Sequence, residues 1–292
     1  MGPPFTRPEG PVLLSRGQRH MVLATLLFSF MGVLVKYLRP IPAHEVVFFR
    51  ALVSLVACWI MLRRRGKSPW GHNRRLLLAR GAAGSAALLL YFYTLQRMPL
   101  ATAVTVQYLN PIFTILLSGY LLREAATRGQ LAASGLCFAG VALLKGFDPR
   151  VSTVDLLLGI AAAGFAALAY NLVRRLRETE DPLVVVFHFP LVTLPLVGPY
   201  TAAHWVQPRG LEWAGLLGVG LLTQAAQVHL TKAFHLEPAA NVSHLTYMGS
   251  LYALVLGYLL FGESVPLPSL AGIALVVAGV VLATRRAGPP AP

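Results

Sequence analysis

Apolar runs of about twenty residues, separated by short polar breaks, fill the chain almost from end to end. A window of about nineteen residues picks out ten of them, near 20–38, 43–62, 74–96, 99–121, 128–146, 153–174, 182–203, 211–232, 238–261 and 267–284. Each is long enough to cross hydrocarbon as an α-helix. The breaks carry turn chemistry, as in Arg39-Pro40-Ile41-Pro42 and Phe147-Asp148-Pro149-Arg150. The pattern predicts an all-α integral membrane protein of about ten transmembrane helices.

The runs also repeat. A shift of 139 residues lays Pro99 on Pro238, Ala101 on Ala240, Tyr108 on Tyr247 and Glu124 on Glu263 without a gap. Ala139-Gly140-Val141 then falls on Ala278-Gly279-Val280. Earlier in each half a shift of 138 pairs Val46-Val47 with Val184-Val185, Phe49 with Phe187 and Arg50 with His188. Five spans per copy is an odd number, so the second copy is expected upside down relative to the first. That layout of two inverted five-helix repeats is a plan of secondary transporters, with the solute held near the midplane between the halves. The expected division is a disordered cytoplasmic tail over 1–19, repeats over 20–146 and 153–284, and a cytoplasmic tail over 285–292.

Composition agrees with the hydropathy. Hydrophobic residues make up 56% of the 292 and charged residues only 12%, about half of what a soluble domain carries. The net charge of +14 does not point to nucleic acid, because the basic residues sit in short loops and form no single face. With the N-terminus inside, eighteen of the 25 Lys and Arg fall on one side of the bilayer and seven on the other. By the positive-inside rule both termini are then cytoplasmic, in an inner or plasma membrane. Cys58 and Cys137 lie within apolar runs, apart from each other and from any histidine cluster, so neither a metal site nor a cofactor is expected.

The order of small motifs resembles the EamA branch of the drug/metabolite transporter superfamily. The motifs are Phe49-Arg50 early in span 2, Met98-Pro99-Leu100-Ala101 before span 4, and Leu121-Leu122-Arg123-Glu124 and Phe261-Gly262-Glu263 after spans 4 and 9. Gly-Val near the ends of spans 5 and 10 completes the set. The resemblance covers residues 20–284 and implies transport of a metabolite, with the substrate left open.

Polar residues inside spans cost free energy unless they pair or face water, which makes them candidates for a solute path. Span 4 carries Gln107 and Asn110, the latter followed by Pro111, whose missing N–H frees a carbonyl and can kink the helix beside a cavity. Span 9, its repeat mate, carries His244 and Tyr247; span 8 carries Gln224 and Gln227; span 6 ends in Tyr170-Asn171. Facing stripes on spans 4 and 9 suggest a shared polar cavity, and the alternative is that these groups hold helices together. Arg50 either pairs with Glu45 nearer the interface or lines a vestibule that attracts anions. His188 and His244 are the candidates for proton coupling. Gly135/Gly140 and Gly272/Gly279 are candidates for close helix approach.

No GxxxxGK, HExxH or paired catalytic carboxylates occur, so an enzyme is not expected. No re-entrant filter suggests a channel. A multi-pass protein with a signalling or interaction role stays open as the second reading. None of the eleven acidic residues lies at mid-span, whereas a cation held at the midplane needs a buried carboxylate. The expected solute is therefore neutral, zwitterionic or anionic, such as an amino acid or carboxylate, and its expected partners are that solute and the bilayer. An exporter of cationic drugs, bound by aromatic faces, is the alternative. Reporter fusions near residues 40, 97, 148, 207 and 265 should all read as external, and a cytoplasmic signal from a fusion at Pro149 would contradict this topology.

Overall fold

The computed structural model describes residues 14–121, 128–176, 179–236, 245 and 248–285. Its helices are α1 (Arg16–Tyr37), α2 (Ala43–Arg64), α3 (Arg74–Arg97), α4 (Leu100–Gln107), α5 (Asn110–Leu121), α6 (Arg128–Phe147), α7 (Thr153–Leu176), α8 (Pro182–Ala203), α9 (Leu211–Leu236), α10 (Met248–Phe261) and α11 (Leu267–Arg285). They follow the ten apolar runs, with span 4 divided into α4 and α5 and the start of span 9 outside the described residues. Six units are long and apolar enough to cross a bilayer by length and composition: α1, α2, α3, Leu100–Leu117, Thr153–Val173 and α8. In hydrocarbon the backbone has no water to bond, so helices, which satisfy their own N–H and C=O groups, are the outcome such runs allow.

Local chemistry sets the ends. Ser15 Oγ accepts from the Gln18 N–H at 3.2 Å, and the Gln18 side chain accepts from the Ser15 N–H at 3.0 Å, a reciprocal cap that starts α1. Asp181 accepts from the Leu183 N–H at 2.8 Å ahead of Pro182, which has no N–H to leave unpaired. Span 4 does more than kink at Pro111: it divides into two helices. Pro111 cannot donate to the Gln107 carbonyl four residues earlier, and the N–H groups of Tyr108 and Leu109 turn to Thr105 O (3.0 Å) and Val106 O (3.1 Å).

The helices pair in a pattern that exchanges the two halves. α1 packs on α9 as α3 packs on α7; α3 meets α8 as α2 meets α9; α5 meets α7 as α1 meets α10. The pairs α2·α8, α4·α10 and α6·α11 join spans that are their own mates. Two sets of contacts give the register. A Cβ at Gly81 would meet Val192 Cβ at 2.7 Å, and one at Gly220 would meet Val53 Cβ at 2.6 Å. A Cβ at Gly140 would meet Gly272 O at 2.7 Å, and one at Gly279 would meet Ala133 O at 2.8 Å and Cys137 Sγ at 2.5 Å. In every case the mates are 139 residues apart.

The single shift of 139 therefore extends into spans 2 and 3, and the separate shift of 138 is not needed around Val53. The repeat mate of Arg50 is then Phe189, and the pairing with His188 is corrected. The glycine expectation also divides. Gly140 and Gly279 are points of closest approach and Gly272 offers its carbonyl to one of them, whereas a Cβ at Gly135 would meet nothing within 4 Å.

Small residues let membrane helices come close enough for dispersion contacts to hold them. Gly140→Val and Gly279→Val should each cost about 1–3 kcal/mol by overpacking and lower the melting temperature in detergent to a similar degree. Gly135→Val should leave it unchanged. Unequal losses in the first two variants would contradict the symmetric contact.

Candidate functional site

Six helices, α2, α3, α4, α7, α8 and α9, line a half-open cavity of about 240 Å³. Both repeats contribute. From the first come Arg50 and Ser54 of α2, Arg80, Gly84, Ala87, Leu88 and Tyr91 of α3, and Gln107 at the end of α4. From the second come Ala166 and Tyr170 of α7, Val186, Phe189 and Pro190 of α8, and Thr223, Gln224, Gln227 and Leu230 of α9. Arg80, Gly84, Ala87 and Tyr91 follow at steps of four, three and four, which is one face of a helix. Proline shapes the wall twice. Pro111 deprives the Gln107 carbonyl of its helical donor, and Pro190 does the same to Val186; Gln107, Val186 and Pro190 all line the cavity.

Two guanidinium groups share one ring inside it. Arg50 Cζ lies 5.3 Å and Arg80 Cζ 5.1 Å from the centre of the Phe189 ring, and Arg50 also lies 5.9 Å from the Phe92 ring. Arg50 is 8% exposed, and its Nε donates to Thr223 Oγ1 at 3.4 Å. Nη1 of Arg50, and Nε and Nη1 of Arg80, are buried with no hydrogen-bond partner among the described residues. Gly84 makes room for the ring, since a Cβ there would meet Phe189 Cδ2 at 2.9 Å.

The described carboxylates are engaged elsewhere. Glu45 accepts from the Val206 N–H at 3.1 Å and Glu212 from the Arg209 N–H at 2.6 Å. Asp155 binds Arg97 Nε at 3.0 Å, and Asp148 binds Arg150 Nη2 at 2.8 Å, which holds the Asp148 carboxyl below its usual range. Glu263 pairs with Lys36, which is fully buried, and its other oxygen accepts from the Leu100 N–H at 2.8 Å. Lys36 Nζ further donates to Met98 O at 2.6 Å. Of these contacts Lys36–Glu263, Leu100–Glu263, Arg97–Asp155 and Val206–Glu45 join one repeat to the other at the end that carries the 38–42 loop. Gln96 Nε2, donating to the Leu38 and Ile41 carbonyls at 3.2 and 2.9 Å, braces that loop within the first repeat. At the opposite end Glu180 accepts from the His72 N–H at 2.6 Å and from the Asn73 N–H, and Lys67 pairs with Asp181. The hydrogen bond from Lys67 lowers the Asp181 carboxyl from its usual value. A second hollow of about 260 Å³ among residues 67–72 and 179–184 belongs to this loop region and is not in the bundle.

The residues expected from the sequence separate accordingly. Arg50, Gln107, Tyr170, Gln224 and Gln227 meet at the cavity. Arg50 does not pair with Glu45. Asn110 lies outside the lining, and its Oδ1 accepts from Thr114 Oγ1 at 3.1 Å within α5. Asn171, fully buried, donates to Thr114 O at 3.2 Å and Ala167 O at 3.0 Å and so joins α7 to α5. His188 is buried outside the cavity with Nδ1 2.9 Å from Val184 O of its own helix. His244 and Tyr247 lie outside the described residues. Spans 4 and 9 touch through Thr105 Oγ1 and Ser250 Oγ at 3.2 Å; among the described residues Gln107 of span 4 lines the cavity and none of α10 does. Arg80, inside the run 74–96, is a cavity residue that the sequence reading did not single out; its step of four to Gly84 and eleven to Tyr91 is the available signal.

The EamA-like transporter family profile matches twice, over residues 16–145 and 154–285. The chain belongs to the EamA-like transporter family. This EamA protein is 31% identical over 280 residues to the pseudopaline exporter of Pseudomonas aeruginosa, covering 94% of this chain and 99% of that one. It is 25% identical to the S-adenosylmethionine uptake transporter of Rickettsia prowazekii, over 83% of each chain. It is 27% identical to the solute carrier family 35 member G1 of Mus musculus, covering 92% of this chain and 78% of that one. A crystal structure with 22% identity superposes with a TM-score of 0.64 over 94% of this chain and 99% of the other, which shows a shared fold. The chain is thus a multi-pass membrane transporter of the drug/metabolite superfamily.

Removing one hydrogen bond to a solute costs about 1 kcal/mol, a factor of roughly five to ten. Gln107→Ala should therefore lower the transport rate about that much for any solute the EamA protein moves, with abundance unchanged. Asn110→Ala, which loses a bond within α5, should stay within about twofold. Equal losses in both variants would place Asn110 on the solute path after all.

Proposed function

We propose that this EamA protein is a secondary transporter that moves a small neutral, zwitterionic or anionic metabolite by alternating access, with both termini cytoplasmic. The observation that carries the reading is the cavity itself, built from both repeats and lacking a carboxylate among its described lining. Its walls reach toward one end. Arg80 lies six residues from the start of α3, and Tyr170 six residues from the end of α7, at the end with the basic 65–73 loop. The opposite end is tied by Lys36–Glu263, Arg97–Asp155 and the Val206–Glu45 bond, each joining one repeat to the other. Under the positive-inside rule the tied end is external, and the arrangement is a state closed to the outside. Rocking one repeat against the other around the solute would part those ties and close the cytoplasmic side.

Counterflow in proteoliposomes against a panel of amino acids, carboxylates and quaternary ammonium compounds tests the substrate class. Saturable exchange of a neutral, zwitterionic or anionic member is expected; exchange confined to quaternary ammonium compounds would overturn it. A thiol probe tests the closed end. With Cys58 and Cys137 replaced by Ala, Ser54→Cys in intact cells should resist a membrane-impermeant maleimide. Adding Glu263→Gln, which leaves Lys36 buried without its partner, should make that site react severalfold faster. Fast labelling with Glu263 intact would defeat the closed-outside reading.

A further inference from the structure

The unassigned chemistry is the pair of guanidinium groups on Phe189. A buried ion is costly unless paired, and here two of like sign face one cavity with three buried nitrogens unbonded among the described residues. Structural arginines in hydrocarbon normally find a carboxylate or backbone carbonyls, as Lys36 does with Glu263 and Met98 O. These two share the π-face of one ring, and Arg50 adds the Phe92 ring and a bond to the neutral Thr223 hydroxyl, none of which cancels their charge. The guanidinium fork matches a carboxylate with two parallel N–H···O bonds, and it stays protonated at any physiological pH.

We infer that the cavity binds a solute carrying two carboxylate groups, one to each of Arg50 and Arg80 across Phe189. The inference rests on the cavity being the transport site and narrows its substrate to the dianionic class. Bound dianion neutralises the two formal charges, and the unbonded nitrogens supply the donors its oxygens need. A monocarboxylate leaves one guanidinium desolvated and unmatched. Gln107 and Gln224 line the same cavity with groups that both donate and accept, suited to neutral polar atoms between the carboxylates.

The test is binding to the purified, detergent-solubilised full chain by calorimetry, with a series of straight-chain dicarboxylates from malonate to adipate and the half-amide of each. The best-fitting dicarboxylate should bind at least tenfold more tightly than its half-amide, since a charge-assisted bond is exchanged for a neutral one. Arg50→Gln and Arg80→Gln should each weaken that dicarboxylate at least tenfold and bring it level with the half-amide. Arg50→Lys and Arg80→Lys should recover part of the preference, which a purely structural arginine would not produce. Melting curves and size-exclusion profiles identify variants that fail to fold, and the comparison within the intact protein stands without them. Equal binding of dicarboxylate and half-amide, no binding of any dicarboxylate in the millimolar range, or an undiminished preference in the folded Gln variants would each overturn the inference. Proteoliposome counterflow of the same compounds separates the two readings. A dicarboxylate that binds but never crosses defeats the transport reading alone, and efficient exchange of the half-amide or of neutral amino acids in preference to dicarboxylates defeats the two-carboxylate site alone.

Discussion

Lipid tails are as apolar as leucine, so burying leucine does little to bring two helices together within a bilayer, and closeness itself must supply the attraction. In this chain closeness rests on glycines at matched positions. Gly81 and Gly220 admit Val192 and Val53, and Gly140 and Gly279 admit the backbone and side chains of each other's helices. The first of these contacts presses α3 against α8. Gly84, three residues on, then receives the Phe189 ring, and that ring lies under both Arg50 and Arg80. The cavity's chemistry is in this sense a consequence of a missing Cβ one turn away.

The molecule treats buried charge in two ways. At the 38–42 end, Lys36 is matched by Glu263 and a backbone carbonyl, and the carboxylate is matched in turn by the Leu100 N–H. Breaking such a pair one-sidedly costs about 3–5 kcal/mol, because the remaining charge is stranded. In the cavity the two guanidinium groups are left with donors to spare. A satisfied charge fixes a structure, whereas an unsatisfied one stores free energy that an arriving partner releases.

Much of this was legible in the residues alone. The ten apolar runs fix the helices because nothing but helix suits hydrocarbon, and Asn110-Pro111 marked the break in span 4 through a missing N–H. The repeat was visible in rare residues spaced 139 apart in the last two spans of each half. The site was harder to read. Asn110 and Asn171 share the polarity of Gln107, and only geometry shows that the asparagines spend it on neighbouring helix backbone and side chains. Arg80 sits close behind Arg74 and Arg75 and merged with the loop charges, although one further turn of helix carries it inside. The offset of 138 hid Phe189, because a slip of one residue turns a helix by about 100° and substitutes its neighbour His188.

The register of 139 makes Arg50 and Phe189 equivalent positions, yet they touch each other across the interface between the halves. Two identical five-helix chains paired antiparallel about a two-fold axis would place the same residue at both points, guanidinium against guanidinium or ring against ring. A cation resting on a ring requires the halves to differ there, and Arg80 opposite Val219 requires it again. Covalent fusion into one chain is what permits the difference: each half could diverge at its own copy of the position while the packing glycines stayed alike. The fused molecule keeps the scaffold of a palindrome and writes its recognition in the letters that break it.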